Sequence, residues 1–365
     1  MKRSRAIKVL IIDDSALVRG LLTRILGSDR ELEVVGSAAD AYVAREKIKA
    51  LEPDVLTLDI EMPRMDGLQF LRNLMRLRPM PVVMCSSMTE RGADATLTAL
   101  ALGAVDFVLK PKLDLVTGLE AYADELIGKV KAAASARVQP LSNAAAASDS
   151  AQSRSMVRLC ASTRLIAIGA STGGTEAIRQ VLIRLPVSSP PVVVSQHIPR
   201  AFSAQFAHRL DQACALHVRE AEDGLLLQAG HVYIAPGDRH LKVVSDGARH
   251  RCEVSGEPPR NHHRPSIDLL FESVARHVGA GAIGVILTGM GADGASGLKQ
   301  MREQGAFTLA QDEQTSVVWG MPGAAVALGA VQRIAPLEAI AAALGEGGDR
   351  AATQPRVMEA MKCRP

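Results

Sequence analysis

The sequence predicts an α/β protein of two doubly wound parallel sheets joined by a linker, the second sheet domain carrying a β-hairpin insert. Three observations carry that prediction. Short apolar runs alternate with amphipathic helical patterns along most of the chain, as expected of parallel strands covered on both faces by helices. Between 131 and 158 large apolar residues nearly vanish and Ala, Ser and Gln take over, which reads as a flexible connection. A length of 365 residues with 47% hydrophobic content suits two cores, built mainly of Leu, Ile, Val, Ala and Met because only 3% of residues are aromatic. The expected division is therefore 1–130, a linker over 131–158, a second domain over 159–345 and a tail over 346–365.

In the first domain, strands are predicted at 9–12, 32–36, 55–58, 82–85 and 107–109, each followed by a helical pattern. The clearest is Leu17, Val18, Leu21, Leu22 and Ile25. In such sheets ligands sit beyond the carboxyl ends of the strands. Those ends carry Asp13-Asp14, Asp59, Ser86-Ser87 and Lys110-Pro111. Carboxylates converging on one spot repel each other unless a cation joins them, and hard oxygen ligands suit Mg2+. A nearby lysine balances charge, and a small hydroxyl donates to whatever binds. Any one of these aspartates also has a reading as a merely solvated loop end, the weaker of the two; the four strand ends together argue strongly against it.

The second domain is organised around residues 166–176, Ile-Ala-Ile-Gly-Ala-Ser-Thr-Gly-Gly-Thr-Glu. An apolar run stops at Gly169, and Ile178, Val181, Leu182 and Leu185 then mark a helix face. Between strand and helix sits Ser171 in a literal G-x-S-x-G, which lifts a serine out at a strand end beside free helix N–H groups. An ordinary βα turn rich in small residues reads the same way. Strand 192–194 leads into Ser-Gln-His-Ile-Pro, placing His197 on the same edge. The stretch 216–255 is rich in short strands and turns and is the expected hairpin insert. Strand 283–287 runs into Thr-Gly-Met-Gly-Ala-Asp-Gly, placing Asp293 on that edge as well.

Acyl transfer by serine needs a nucleophile, a base and a carboxylate that orients the base. Ser171, His197 and Asp293 fill those roles in the order Ser, His, Asp. Pairing Asp223 with His240 gives the α/β-hydrolase order but draws on the turn-rich insert. His262-His263 suggests a metal site without supporting Cys or Glu spacing. A competing reading is dinucleotide binding: Gly289-x-Gly291-x-x-Gly294 follows a strand and opens a helix, with Asp312 about twenty residues on, where a ribose-binding acid belongs.

Two resemblances bear on these alternatives. Ile-Ile-Asp-Asp-Ser, Leu-Asp-Ile-Glu-Met-Pro-Arg-Met-Asp-Gly, Cys-Ser-Ser and Phe-Val-Leu-Lys-Pro resemble the receiver domain of bacterial response regulators, over residues 6–130. That likeness implies a flavodoxin-like fold and phosphoryl transfer from a histidine kinase to Asp59. It also implies Mg2+ bound by Asp13, Asp14 and Asp59 with help from the Glu61 backbone, phosphoryl contacts from Ser86 and Lys110, and Phe107 as the switch aromatic. A phosphate adds about −1.5 to −2 charges at pH 7, enough to release a docked surface.

Over about 162–345, Ile-Gly-Ala-Ser-Thr-Gly-Gly, Ser-Gln-His-Ile-Pro, Ala-Pro-Gly-Asp-Arg-His-Leu, His-Arg-Pro-Ser-Ile-Asp and Leu-Thr-Gly-Met-Gly-Ala-Asp-Gly resemble chemotaxis protein-glutamate methylesterases. This likeness implies hydrolysis of glutamate γ-methyl esters on chemoreceptors, with methanol released, and deamidation of receptor glutamines. It assigns Ser171 as nucleophile, His197 as base and Asp293 as orienting acid, with the Met290 region near the oxyanion. No cofactor is expected in this domain, and the G-x-G-x-x-G becomes the turn presenting Asp293.

A net charge of +3 calls for no nucleic-acid partner. Five scattered cysteines without a C-x-x-C pair fit a reducing compartment. No apolar run reaches the ~18 residues a membrane span needs, so no membrane insertion and a cytoplasmic location are expected.

Overall fold

The computed structural model describes residues 5–87, 89–110, 119–138 and 163–351. Most of the predicted linker, the last fourteen residues of the predicted tail, Pro111, Cys160 and Cys363 lie outside the described residues.

The first domain alternates β1 (Ile7–Ile12), α1 (Ala16–Leu26), β2 (Leu32–Ala38), α2 (Ala41–Leu51), β3 (Val55–Asp59), α3 (Gly67–Leu77), β4 (Val82–Ser86), α4 (Glu90–Ala101), β5 (Asp106–Leu109) and α5 (Leu119–Ala134). Its five strands are ordered β2-β1-β3-β4-β5, all parallel. Every residue of β3 and β4 is buried, which is why these segments read as unbroken apolar runs rather than alternating ones. Helix starts are capped by short polar side chains: Asp40 accepts from the Tyr42 and Val43 N–H groups, and Asp66 from Gln69. Helix α5 extends four residues past the expected boundary at 130, on the alanines that begin the predicted linker.

The second domain runs β6 (Leu165–Ala170), α6 (Gly174–Leu182), β7 (Val192–Gln196), α7 (Arg200–Ala213), β8 (His217–Glu220), β9 (His231–Ile234), β10 (His240–Asp246), β11 (Arg249–Ser255), α8 (Ile267–His277), β12 (Ala282–Ile286), α9 (Ala295–Glu303), β13 (Phe307–Gln311), α10 (Met321–Ala327), β14 (Arg333–Ala335) and α11 (Leu337–Ala351). Seven strands form one parallel sheet in the order β14-β13-β12-β6-β7-β9-β8. The hairpin is narrower than the turn-rich stretch suggested. Among the described strands β10 and β11 alone pair antiparallel, whereas β8 and β9 extend the main sheet. Helix α11 continues beyond the expected boundary at 345.

Ile178, Val181, Leu182 and Leu185, the apolar face predicted for α6, are all at most 2% exposed. Strand order changes direction at β6, because β7 lies on one side of it and β12 on the other. The carboxyl end of β6 is thus the switch point, where parallel sheets leave a crevice. The two domains share one apolar cluster, which passes from Leu97, Leu100 and Phe107 into Phe202, Phe206 and Leu210.

Candidate active site

The β6–β7 ladder pairs Ile166 with Val192 and ends with Ala170 beside Gln196, so the next residues out are Ser171 and His197. The His197 N–H donates to the Ala170 carbonyl at 3.1 Å, continuing the ladder by one rung. On the other side, β12 pairs Ile286 with Gly169, and the Ser171 N–H donates to the Thr288 carbonyl at 3.0 Å. The loop that carries Asp293 therefore leaves the sheet next to the serine. Parallel register brings Ser171 and His197 together, and the loop after β12 brings Asp293 to the same rim.

Their contacts are direct. His197 Nδ1 lies 3.1 Å from Ser171 Oγ, and His197 Nε2 lies 2.9 Å from Asp293 Oδ2. A carboxylate can only accept, so Nε2 carries the hydrogen and Nδ1 turns its lone pair to the hydroxyl. Asp293 is 3% exposed, yet its oxygens are well supplied with donors. The Ile267 N–H donates to Oδ2 at 2.7 Å; Asn261 Nδ2 and Ser266 Oγ donate to Oδ1 at 3.0 and 3.1 Å. Burial alone raises its pKa, but the His197 hydrogen bond and charge, with the Ile267 and Asn261 donors, hold it well below the usual carboxylate range. Ile267 opens α8, so the anion also sits on a helix N-terminus.

Two glycines make the approach possible. Gly173 has φ +74°, and a Cβ there meets Val317 at 2.7 Å. A Cβ on Gly289 comes within 2.7 Å of the Ser171 Cβ, so only a glycine lets the Met290 loop lie against the serine. That loop is strapped by Gly320 and Met321 N–H groups donating to the Gly289 carbonyl at 3.1 and 2.8 Å.

Several supporting residues were not found by sequence reasoning. Gln196 Nε2 donates to the Ser171 and His197 carbonyls at 2.9 and 3.1 Å, bridging the two strand ends; its place in Ser-Gln-His was the available signal. Asn261 and Ser266 reach Asp293 from 32 and 27 residues away in sequence, a separation no local pattern reveals.

The alternative assignments find other employment. Asp312 Oδ1 accepts from the Thr315 N–H and hydroxyl at 2.9 and 2.6 Å, bracing a turn. Asp223 accepts from the Val254 N–H, while the buried His240 bonds Ser266 N–H and the Pro258 carbonyl, so these two are not partners of each other. Among the described residues, the one group of three or more His, Cys, Asp or Glu side chains able to hold a metal is Asp13, Asp14 and Asp59; His262 and His263 form none.

In that group the ligand atoms lie within 4.8 Å of one another. The donors are all carboxylate oxygens, which fits Mg2+. Lys110 Nζ is 2.7 Å from Asp59 Oδ2 and 3.5 Å from Asp13 Oδ2. Burial pushes the Asp59 carboxyl up to about 6 against the pull of Lys110, and burial likewise raises Asp13. The Glu61 N–H donates to Asp59 Oδ1 at 3.2 Å. Ser86 is fully buried, and its hydroxyl accepts from Thr96 Oγ1 at 2.6 Å.

Phe107 is 4% exposed, and its ring packs on Phe202 of the second domain with centroids 4.7 Å apart. The neighbouring Asp106 accepts a hydrogen bond from the hydroxyl of Thr172, the residue after Ser171. Arg209 on α7 binds the Asp94 carboxylate on α4 at 2.8 Å. A chain of contacts thus runs from the acidic pocket's sheet to the serine's neighbour.

These features define a response regulator whose output is a second α/β domain. Family models agree: the response regulator receiver domain matches residues 9–119, and the CheB methylesterase matches residues 166–344. A protein-glutamate methylesterase/protein-glutamine glutaminase 2 of Xanthomonas oryzae pv. oryzae is 57% identical over 92% of this chain and 95% of its own length. A protein-glutamate methylesterase/protein-glutamine glutaminase of Nitrosomonas europaea is 54% identical over 92% of this chain and 95% of its own. Among solved structures, the Thermotoga maritima CheB methylesterase catalytic domain is 36% identical, with a TM-score of 0.49, covering 50% of this chain and 98% of that one. The chain belongs to the CheB methylesterase family with an N-terminal receiver domain.

Proposed function

We propose that the protein is a phosphorylation-activated serine hydrolase that removes methyl groups from glutamate γ-methyl esters on methylated chemoreceptors and deamidates receptor glutamines. The observation that carries this reading is the unbroken Ser171–His197–Asp293 contact at the switch point. His197 Nδ1 takes the Ser171 proton as Oγ bonds to the ester carbonyl carbon. Backbone amides beside Ser171 and in the Met290 loop receive the oxyanion. His197 then gives that proton to the departing methoxide, which leaves as methanol. Water attacks the acyl-enzyme, His197 accepts its proton and returns it to Ser171, and the free glutamate is released. Glutamine follows the same path with ammonia leaving.

Asp59 is the phosphoryl acceptor, and a histidine kinase of a chemotaxis system is the donor. Asp13, Asp14 and Asp59 would hold Mg2+, which supplies positive charge for the phosphoryl oxygens when bound. Lys110 pairs with Asp59 and Asp13, and Ser86 offers its hydroxyl to the phosphoryl group. Movement of Ser86 and Phe107 on phosphorylation loosens the Phe107–Phe202 and Asp106–Thr172 contacts and opens the rim at Ser171. No described helix is long and apolar enough to cross a membrane, and a cytoplasmic site of action is part of the proposal.

Methanol release from methylated receptor fragments, with and without acetyl phosphate and Mg2+, tests the reading. Stimulated release that disappears in Ser171→Ala supports it. Release at the wild-type rate from Ser171→Ala ends it.

A further inference from the structure

The loop before α8 contains a tight turn at 260–263 whose ends pair like a two-residue hairpin. The Arg260 N–H donates to the His263 carbonyl at 3.0 Å, and the His263 N–H to the Arg260 carbonyl at 2.9 Å. Its two central residues, Asn261 and His262, have φ of +54° and +64°. Neither is glycine, so the turn holds two consecutive residues in a conformation that costs stability, a feature that collects at functional sites. Its shoulders are anchored by Arg260 to Glu272 at 2.8 Å and by Arg264 Nε to Asp238 at 2.8 Å.

This turn presents two side chains to the catalytic pair. Asn261 Nδ2 donates to Asp293 Oδ1 at 3.0 Å and to Asp268 Oδ2 at 2.9 Å. The His263 ring lies flat on the His197 ring, centroids 3.8 Å apart and planes 12° from parallel. The edges of His197 are taken by Ser171 and Asp293, so His263 covers a face. We propose that the turn at 260–263 is a positioning clamp on the His197–Asp293 pair: Asn261 fixes the carboxylate, and the His263 ring face steadies His197 and receives the positive charge it gains on taking the Ser171 proton. This rests on the serine-hydrolase reading above.

Charge on His263 itself would oppose that role. Burial, then His197, push its pKa down to about 4; His262 and Lys129 push the same way and Asp293 opposes them. At neutral pH the ring is therefore uncharged and offers a π face to an imidazolium. The adjacent histidines thus serve as a turn and a stacked ring, and their sequence neighbourhood gains a purpose other than metal binding.

The test uses the full-length protein with acetyl phosphate and Mg2+. His263→Ala lowers kcat for methanol release about 10-fold with KM within about twofold, because the lost interaction matters most when His197 is charged. His263→Phe, which keeps the aromatic face, recovers to within about threefold of wild type, whereas His263→Leu stays with alanine. Asn261→Ala lowers kcat about 10-fold, as expected when Asp293 loses one of its hydrogen-bond donors. A second readout needs no substrate: in 15N-histidine spectra the His197 Nε2–H resonance, held downfield by Asp293, is lost in His263→Ala and Asn261→Ala and persists in His263→Phe. Wild-type resonances and kcat in both alanine variants overturn the clamp, as does leucine performing as well as phenylalanine. Because the resonance is read without substrate, it judges the clamp separately from the methylesterase reading.

Discussion

Asp59, the last residue of β3, and Asp293, in the loop after β12, are the same residue type at the carboxyl edges of two parallel sheets, both nearly inaccessible to water, and their surroundings drive them in opposite directions. Asp59 shares its pocket with Asp13 and Asp14, has Lys110 as its cation, and is pushed up to about 6 by burial. Asp293 meets donors from Asn261, Ser266, Ile267 and His197 and is held below the usual carboxylate range. Burial penalises both charges; the count of donors decides the outcome. One pocket is short of positive charge and poised to change its own; the other is complete and poised to keep its charge while a neighbour changes.

The largest expected effect breaks the complete site. Ser171→Ala lowers phosphodonor-stimulated methanol release by roughly 10⁴–10⁶-fold. Asp293→Asn, which leaves the shape but replaces the acceptor that sets the His197 tautomer, lowers kcat by about 10³–10⁴-fold. Asp59→Asn acts on the other pocket: incorporation of phosphoryl groups from acetyl phosphate vanishes, stimulation with it, and basal release stays. Loosening the boundary between the pockets has a smaller effect of the opposite sign. Arg209→Ala, which removes the ion pair to Asp94, raises basal release of the unphosphorylated protein by roughly two- to fivefold, since an exposed pair contributes up to about 1 kcal/mol.

The finest test is the pH dependence of stability. Asp59 has a folded pKa of about 6, above the unfolded value, so the folded state retains a proton the unfolded chain has lost between about pH 4 and 6. Stability of the first domain therefore falls as pH rises through that window. His263, pushed down to about 4, does the reverse: the unfolded chain binds the extra proton, and stability of the second domain rises between about pH 4 and 6.5. Hydrogen exchange resolved to β3 and α8 should show slopes of opposite sign in Mg2+-free buffer. Asp59→Asn should flatten the first slope, leaving the contribution of Asp13, and stabilise its domain at pH 7.5 by roughly 1–3 kcal/mol.

Much of this was legible in the sequence because parallel sheets put function at strand ends, and apolar runs show where strands end. Ser171 follows such a run, His197 follows another, and the register that joins them follows from both strands stopping together. What escaped reading had no periodic signature. Strands β8 and β9, four residues each, sit in a turn-rich stretch where a hairpin is the natural guess. Their pairing in the main sheet depends on β7 being available at its edge. The donors to Asp293, the stacked His263 and the Phe107–Phe202 contact join residues far apart in sequence, and only the tertiary fold brings them together.

The ladder between β6 and β7 has a consequence for tolerance to change. Ser171 and His197 meet because each stands one step beyond a paired residue, not because the intervening chain measures out a distance. Lengthening the connection between α6 and β7 therefore leaves their spacing alone, whereas inserting one residue within β7 rotates every later side chain to the opposite face and turns the imidazole away. The spacing of nucleophile and base is stored in backbone pairing, so the α6–β7 connection is free to drift while the two strands are not.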